Sequence, residues 1–290
     1  KMISIEVGGN LLKYISSYKK GIQNVVNSLG PDVISVCDDG LKGFFLPSII
    51  KTKAKWIYER HASIELNKQK GFSGKIQAYM MGKLSQNFDA FVVLTSNNIK
   101  EWKGNNIQVI PNPLSFNSDK NNPLDQKKII AVGSHSYNKG YDTLLNIWKS
   151  IQYQYPDWQL NIYGKFDADQ TYIKQAGSLA LKRINFHEPV VNIQEKLEES
   201  SIMVLPSRSE GFGMVLIEAM ACGVPCVAFD CPSGPKDIII HNEDGLLIEN
   251  QNQKMFENAI VQLIEEEERR KKMGTNAKQS VIRYNVDNIA

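Results

Sequence analysis

Ser207–Gly223 reads Ser-Arg-Ser-Glu-Gly-Phe-Gly-Met-Val-Leu-Ile-Glu-Ala-Met-Ala-Cys-Gly, and it directly follows the apolar run Ile202–Pro206. This pattern predicts a strand, a glycine turn and a helix. Gly211 and Gly213 leave the backbone free for a tight turn and for the close approach of a ligand. The helix is predicted to begin near Gly213 and to end at Gly223. Because the first N–H groups of a helix have no intrahelical partner, the turn is a predicted phosphate site.

Two glutamates bracket the predicted helix start. Glu210 lies on the turn, and Glu218 is the only charged residue between Glu210 and Asp230. A carboxylate on an apolar helix is costly to bury without hydrogen bonds, and sugar hydroxyls are suitable donors. We therefore expect Glu218 to hold the ribose of a nucleotide and Glu210 a hydroxyl of a transferred sugar. For either glutamate alone, a solvated cap or an exposed residue is the simpler interpretation, whereas both together favour a ligand.

The two glutamates also carry a family resemblance. With seven residues between them, Glu210 and Glu218 lie in a segment, Pro206–Pro225, that closely resembles the signature of the family 4 retaining glycosyltransferases. The resemblance extends more loosely over nearly the whole chain. It implies an α/β chain of the GT-B fold, in which two Rossmann-like, doubly wound domains face a cleft. It also implies donor contacts along the turn and helix start, at Gly211, Phe212, Gly213, Met214 and Val215.

Strands and helices alternate along the chain, which predicts parallel sheets. Predicted helices cover about 11–28, 72–87 and 168–181, and helical spacing recurs from Tyr141 to Ile151 and from Met255 to Ile264. The predicted strands are Ile3–Val7, Val33–Cys37, Trp56–Tyr58, Phe91–Leu94, Ile107–Ile110, Ile129–Val132, Trp158–Ile162, Ile184–Phe186, Ile202–Pro206, Pro225–Phe229 and Leu246–Ile248.

A hinge between two domains is predicted from Pro111 to about Asp125, where Pro, Asn, Ser and Asp are frequent. We predict an acceptor-side domain over residues 1–112 and a nucleotide-sugar-binding domain over residues 113–275. The resemblance implies that residues 276–290 return to the first domain. It also implies that the first domain is incomplete at its start, because the family's first strand, glycine-rich loop and first helix have no counterpart here.

Gly133–Gly140 lies between a predicted strand end and a predicted helix start. Lys139 can reach a diphosphate there as a point charge, although a solvated lysine is the simpler interpretation without context. The family often has Gly-Arg-Leu, three further residues and Lys-Gly at this place, so Gly133 and Ser134 are implied to border the donor. Ser134 stands where the family commonly has arginine. The candidates to replace that cation are Lys139, Arg208 and the helix start at Gly213. A surface arginine is the simpler account of Arg208.

Three further segments have functional interpretations. His61 ends a predicted strand, and a structural role is weighed evenly against function; similar enzymes have a histidine near this place that faces the transferred sugar. His187–Val191 resembles the loop that holds the nucleotide base through backbone groups, which implies a donor contact at Val190. The Ser233–Gly234 turn resembles one that flanks the diphosphate, and an ordinary strand-to-helix turn is the alternative.

Composition excludes several classes of protein. The 290 residues are 42% hydrophobic and 22% charged, with a net charge of +3, which is too small to imply nucleic acid. No apolar run approaches the roughly 20 residues that span a membrane, and no signal peptide is recognisable. The spacing of Cys37, Cys222, Cys226 and Cys231 matches no common zinc pattern, so free core thiols in a reducing cytoplasm are expected.

Membrane contact is a separate hypothesis. Lys68, Lys70, Lys75 and Lys83 cluster around Phe72, Ile76, Met80 and Met81. This arrangement favours a peripheral position at the inner face of an anionic membrane, and a solvated helix with a core face is the alternative.

The combined hypothesis is a retaining, metal-independent glycosyltransferase without a cofactor. It transfers a sugar from a UDP-sugar to a hydroxyl of a glycan or lipid-linked acceptor in surface polysaccharide synthesis, with Glu210, Lys139 and His61 as catalytic residues. The Asp167-Ala168-Asp169 segment has the form of a metal motif but is predicted to lie in a loop before a helix. A nucleotide-sugar epimerase or hydrolase on the same fold and a non-catalytic nucleotide-binding subunit remain alternatives.

Overall fold

The computed structural model describes residues 4–5, 7–8, 10–38, 40–64 and 71–289. The chain divides into two compact units, Lys1–Ile110 and Pro111–Ala290. Each unit contains a parallel sheet with helices between its strands, so the predicted α/β class with two Rossmann-like domains is confirmed. Within the described ranges, no helix is both long enough and apolar enough to span a membrane.

In the described part of the first unit, four parallel strands form one sheet and pair in the order of the chain. Its buried core contains closely packed aromatic rings: the ring centroids of Phe44 and Tyr58 lie 4.3 Å apart, and those of Phe91 and Trp102 lie 4.5 Å apart. The strands are β1 (Val33–Cys37), β2 (Lys55–Arg60), β3 (Ala90–Val93) and β4 (Ile107–Val109), and the helices are α1 (Leu11–Leu29), α2 (Leu46–Ile49), α3 (Gly71–Leu84) and α4 (Ser96–Ile99).

The strand predicted over Ile3–Val7 is wrong for the residues that the structure describes. Residues 4, 5 and 7 lie outside any strand, and residues 3 and 6 fall outside the described ranges. The side chain of Ile5 instead packs onto Gly21 of α1, where an added Cβ would come within 2.3 Å of Ile5 Cγ2. Contact with a helix therefore partly buries this apolar residue without strand pairing. Every other predicted strand overlaps an observed one.

Helix α3 places the residues of the predicted basic face on two different sides, one exposed and one buried. Phe72 and Ile76 are exposed as expected, but Met81 is fully buried in the core of the first unit, so its assignment to that face is wrong. Met81 lies five residues beyond Ile76, which turns its side chain toward the opposite side of the helix. Lys68 and Lys70 lie outside the described residues.

In the second unit, the strands over residues 111–289 are β5 (Lys128–Val132), β6 (Gln159–Tyr163), β7 (Ile184–His187), β8 (Ile202–Leu205), β9 (Cys226–Phe229) and β10 (Gly245–Ile248). They are parallel and pair in the order β10-β9-β8-β5-β6-β7. The helices are α5 (Tyr141–Gln154), α6 (Thr171–Ser178), α7 (Ile193–Glu198), α8 (Met214–Ala221), α9 (Pro235–Ile238), α10 (Gln253–Glu265), α11 (Glu267–Ser280) and α12 (Val286–Ile289).

Strands β8 and β9 are buried at every position, as expected for strands covered on both faces. Phe229 of β9 packs against Phe256 of α10, with their ring centroids 4.5 Å apart. Cys222, Cys226 and Cys231 are buried free thiols, as predicted, and burial raises the pKa of Cys222 to about 12. Cys37 is exposed.

The segment after α11 contacts other parts of the second unit. The Tyr284 hydroxyl donates to the Asp237 carbonyl at 3.0 Å, and the Leu114 amide donates to the Tyr284 carbonyl at 2.8 Å. The Tyr284 ring also packs edge to face on Phe212. These contacts attach residue 284 beside the glycine turn, and the return of residues 276–290 to the first domain stays a prediction.

Candidate functional site

The strand order places two loops side by side at the centre of the second sheet. Strand β5 lies between β8 and β6. From β5, the chain adds β6 and β7 on one side of the sheet and then adds β8, β9 and β10 on the other side, so the strand order reverses at β5. Open α/β sheets bind ligands beyond the carboxyl ends of their strands at such a reversal. The candidate site is therefore formed by residues 133–140 after β5, here named the β5 loop, and residues 206–213 after β8, here named the β8 loop.

Several contacts hold the β5 loop against the β8 loop. The Arg208 amide donates to the Asn138 carbonyl at 2.8 Å, and Asn138 Nδ2 donates to the Ser209 carbonyl at 2.6 Å. Gly140 has a φ of 67°, and a Cβ added there would come within 2.0 Å of the Pro206 carbonyl oxygen. Glycine therefore suits both the backbone conformation and the close contact.

Lys139 and Glu210, which were predicted separately from the two loops, form an ion pair. Lys139 Nζ lies 2.7 Å from Glu210 Oε1, and the two side chains are 21% and 9% exposed. The stem of Lys139 crosses Gly133, where an added Cβ would come within 2.9 Å of Lys139 Cε. The Glu210 amide also donates to the Pro232 carbonyl at 3.2 Å. The predicted phosphate-binding cation and the predicted sugar-binding carboxylate thus lie together at the strand-order reversal.

The glycine turn precedes α8, as predicted. Gly213 has a φ of 98°, and no side chain caps the helix start. Gly234 of the predicted Ser233–Gly234 turn lies against this element, because a Cβ at Gly234 would come within 2.0 Å of the Phe212 carbonyl oxygen. The first turn of α8 therefore presents amides that no side chain satisfies. Of the predicted donor contacts here, Gly211 and Met214 are half-buried, and Phe212, Gly213 and Val215 are buried.

Glu218 lies half-buried on α8 and already has a hydrogen-bond partner. Its Oε1 accepts a hydrogen bond from Ser115 Oγ at 2.8 Å. Ser115 is not among the predicted site residues; it lies in the predicted hinge, 103 positions from Glu218 along the chain. A single serine in a polar segment gives no signal of such a contact.

Arg208 is held within the two loops. Its Nη1 and Nη2 donate to the Asp142 carboxylate at 2.9 and 2.6 Å, and its guanidinium lies 4.0 Å from the centroid of the Tyr137 ring. The hydrogen bonds to Asp142 raise the pKa of Arg208. The Arg208 side chain is only 18% exposed, so it is not a surface arginine. The ion pair with Asp142 gives it a structural role, and a phosphate contact by Arg208 stays a prediction. Ser134 is exposed, and Lys139 of the same loop pairs with Glu210.

The predicted base-binding loop follows the outer strand β7. Val190 is 37% exposed, whereas the His187 ring stacks on Tyr163 with the centroids 4.3 Å apart. His187 Nε2 lies 3.2 Å from Asn161 Oδ1, and burial lowers the pKa of His187. His187 therefore has a structural role in the sheet, while a base contact at Val190 stays a prediction.

His61 belongs to the first unit, directly after β2. Its Nε2 lies 3.7 Å from Glu59 Oε2, and its side chain is 35% exposed. The predicted role of His61 beside a transferred sugar stays a prediction.

The Asp167-Ala168-Asp169 segment lies in a loop before α6, as predicted. Both carboxylate oxygens of Asp167 accept from the Thr171 amide at 3.0 Å, and one also accepts from Thr171 Oγ1 at 2.6 Å. Asp167 therefore satisfies donors in the first turn of α6. Across the described part of the chain, no group of three or more His, Cys, Asp or Glu side chains is placed to hold a metal ion.

Comparisons with known proteins show the family to which this chain is similar. The family model described as Glycosyl transferases group 1 matches residues 115–280, which include both loops and α8. An uncharacterized glycosyltransferase of Haemophilus influenzae is 33% identical over 251 residues, covering 84% of this chain and 69% of that protein. The amylovoran biosynthesis glycosyltransferase AmsD of Erwinia amylovora is 28% identical over 270 residues, covering 88% of this chain and 73% of AmsD.

A solved structure shows the fold. A TarM variant of S. aureus, in complex with fondaparinux, alpha-GlcNAc-glycerol and UDP, matches with a TM-score of 0.77 at 23% sequence identity. The match covers 92% of this chain and 56% of the TarM chain, so this chain spans little more than half of TarM. The likeness confirms the GT-B fold that the sequence predicts.

Proposed function

This chain belongs to the glycosyl transferases group 1 family, and on that premise we propose that it is a retaining hexosyltransferase that uses a UDP-sugar. The sugar passes to a hydroxyl of a glycan or lipid-linked acceptor in surface polysaccharide synthesis. TarM was solved with UDP and two glycan-type ligands, and AmsD is named for amylovoran biosynthesis. Both observations support the donor and the pathway class proposed here.

The Lys139–Glu210 ion pair beside the start of α8 carries this proposal. When the bond between the anomeric carbon and the diphosphate breaks, negative charge develops on the departing diphosphate. The Lys139 ammonium and the uncapped amides of α8 stabilise that charge electrostatically. Glu210, 2.7 Å from Lys139, accepts a hydrogen bond from a hydroxyl of the transferred sugar and orients it.

Glu218 holds the ribose in this proposal. Its carboxylate accepts the hydrogen bond of Ser115 on one oxygen and retains lone pairs for the ribose diol. A serine partner fixes the rotamer of the carboxylate before the nucleotide arrives, which reduces the entropy lost on binding.

Retention follows from front-face attack, which is what the family resemblance implies. The acceptor hydroxyl attacks the anomeric carbon on the face from which the diphosphate departs. The new glycosidic bond forms as the carbon–phosphate oxygen bond breaks, and the departing phosphate oxygen takes the hydroxyl proton. His61 positions the acceptor or the phosphate, and neither a metal ion nor a cofactor takes part.

A donor screen tests the proposal. UDP-glucose, UDP-galactose and UDP-GlcNAc are incubated with glycan acceptors, UDP release is followed by chromatography, and the anomeric configuration of the product is read by NMR. We expect acceptor-dependent transfer with retained configuration, loss of transfer in Lys139→Met, and normal transfer in the control Lys254→Met, whose lysine pairs with Glu257 on α10. Products formed from the donor alone would favour the epimerase or hydrolase, and UDP binding without turnover of any donor would favour the non-catalytic subunit.

We further propose that the enzyme is cytoplasmic and contacts the anionic inner face of a membrane through α3. Phe72, Ile76 and Tyr79 follow one another at helical spacing and are 81%, 47% and 64% exposed. Lys75 and Lys83 flank this row and line a cleft of about 670 Å³ beside it. Exposed apolar side chains flanked by lysines suit an anionic lipid surface.

Liposome co-sedimentation tests the membrane proposal. The Lys75→Glu/Lys83→Glu variant is expected to sediment less with phosphatidylglycerol vesicles than the wild type does. The matched control Lys149→Glu/Lys174→Glu makes the same charge change on exposed positions of the second unit and is expected to sediment normally. Equal sedimentation of both double variants would contradict a role for α3.

A further inference from the structure

His135 is a buried histidine within the β5 loop whose ring nitrogens have no hydrogen-bond partner. The residue is 4% exposed, and both Nδ1 and Nε2 are buried and unpaired. Its ring centroid lies 4.9–5.7 Å from those of four aromatic rings, Tyr141, Phe166, Tyr172 and Phe186. Buried polar groups are normally hydrogen-bonded, and an apolar side chain would fill this enclosure without that cost.

Contacts connect the His135 ring to the stem of Lys139. The imidazole packs edge to face on Tyr141, and the Tyr141 hydroxyl donates to the Gly133 carbonyl at 3.0 Å. The stem of Lys139 crosses Gly133. The His135 amide also donates to the Lys165 carbonyl at 2.8 Å, which fixes the backbone of the β5 loop. These contacts form a continuous path from the His135 imidazole to the Lys139 stem.

The surroundings of His135 disfavour its charged form. Burial lowers the pKa of His135, and the opposing influences are Asp167, in the loop after β6, and Glu188, after β7. Asp167 is hydrogen-bonded to Thr171. The other titratable groups packed on the imidazole are the phenols of Tyr141 on α5 and Tyr172 on α6. An imidazolium formed here would be a buried cation without a hydrogen-bonded partner.

We propose that His135 is a positioning residue that keeps Lys139 in place for the diphosphate only while its imidazole is neutral, so that acid weakens donor binding. This inference rests on the proposed function. The family pattern quoted above places leucine at this position, so the imidazole is a feature of this chain. Leucine is also the matched replacement, because it fills the enclosure and cannot be protonated.

The sign of the pH effect follows from the direction of the shift. Because the pKa of His135 is lowered in the folded protein, its imidazole is neutral above the ordinary value of about 6.5, and UDP binding should weaken only at lower pH, where the imidazole takes up a proton. Protonation of the unfolded chain below about pH 6.5 also lowers the free energy of unfolding. One coupled proton changes an equilibrium constant by at most about tenfold per pH unit. The Kd for UDP should therefore rise toward acid with at most that slope.

Calorimetric titration of UDP from pH 5 to pH 8 tests the proposal on the wild type, His135→Leu and the control His241→Gln. The terminal phosphate of UDP itself titrates near pH 6, so the quantity compared is the ratio of wild-type to variant Kd at each pH. For His135→Leu we expect a ratio near one at pH 8 that increases severalfold toward pH 5. For His241→Gln, which changes an exposed histidine, we expect a constant ratio.

A constant ratio for His135→Leu would overturn the proposal, and so would a folded His135→Leu protein that fails to bind UDP at pH 8. If leucine prevents folding, His135→Met offers a flexible apolar side chain for the same test. Absence of UDP binding by every protein would instead reject the proposed function. Thermal unfolding then tests His135 without nucleotide: the wild type should lose stability relative to His135→Leu as the pH falls, and parallel pH profiles would overturn the proposal.

Discussion

Changes at Glu210 and Lys139 should shift UDP affinity in opposite directions. Lys139 Nζ lies 2.7 Å from Glu210 Oε1, so a phosphate oxygen bound to the same ammonium would lie within about 5.5 Å of that carboxylate, two hydrogen-bond lengths away. Two negative charges at that distance repel by roughly 0.8–3 kcal/mol, for effective dielectric constants between about 80 and 20. Glu210→Gln removes the repulsion, so UDP should bind at least about threefold more tightly.

Lys139→Met should weaken UDP binding. It removes a charge-assisted hydrogen bond worth about 1.5–3 kcal/mol, which corresponds to a roughly 10- to 150-fold higher Kd. It also leaves the 9% exposed Glu210 side chain without its cation, so the free energy of unfolding should fall, by up to about 3–5 kcal/mol for a buried pair. Urea unfolding therefore has to show that each variant is folded under the binding conditions.

Calorimetry with UDP at pH 8 and fixed salt measures both effects. The Lys254–Glu257 pair on α10, whose lysine is 73% exposed, supplies matched controls, Lys254→Met and Glu257→Gln, which should leave the Kd unchanged. Glu210→Gln should bind UDP more tightly yet transfer sugar more slowly, because the orienting carboxylate is lost. If Glu210→Gln and Lys139→Met are both folded and both weaken UDP binding, the electrostatic account of this pair is wrong.

Three further predictions concern backbone packing, Arg208 and metal dependence. Gly164→Ala should lower the free energy of unfolding by roughly 3 kcal/mol or more, because its Cβ would lie 1.9 Å from the Gly133 carbonyl oxygen at a φ of 154°. The Cβ of Gly177→Ala on α6 meets no atom within 4 Å, so this variant should raise the free energy of unfolding by about 0.4–1 kcal/mol. Urea unfolding compares the two variants. Arg208→Lys should lower the free energy of unfolding by about 1 kcal/mol, because it loses the bidentate contact with Asp142. The Kd for UDP should change less than about twofold. A large loss of UDP affinity would instead show that Arg208 contacts the donor. Transfer should persist in excess EDTA, and activity abolished by EDTA and restored by manganese would show a metal requirement.

The elements around the site were predictable because their signals are local. The apolar run of β8, the glycine turn and the apolar helix α8 are contiguous, so hydrophobic pattern and glycine position were sufficient to predict them. The contact between Lys139 and Glu210 was not predictable from the sequence, because these residues are 71 positions apart and meet only through the pairing of β5 with β8. Sequence periodicity carries no information about which parallel strands become neighbours.

The histidines show a second limit of the sequence. The loop position of His135 was evident, but its enclosure combines rings from α5, α6, β7 and the loop after β6, which no local pattern relates. Ser115 and Glu218 likewise meet across 103 positions. The sequence therefore identified candidate side chains near the ends of predicted strands. Their burial and their hydrogen-bond partners, which only the structure shows, separate the structural side chains from those available to a ligand.

Calorimetric binding of UDP to the wild type and to Glu218→Ala tests the central claim, a nucleotide site at the start of α8, most directly. We predict micromolar binding by the wild type, weakened by about 1–3 kcal/mol in Glu218→Ala because the ribose hydroxyls lose their acceptor. The exposed-residue control Glu195→Ala should bind like the wild type. Absence of binding of UDP, and also of ADP and GDP, or equal UDP binding by Glu218→Ala and the wild type, would contradict this account of the site.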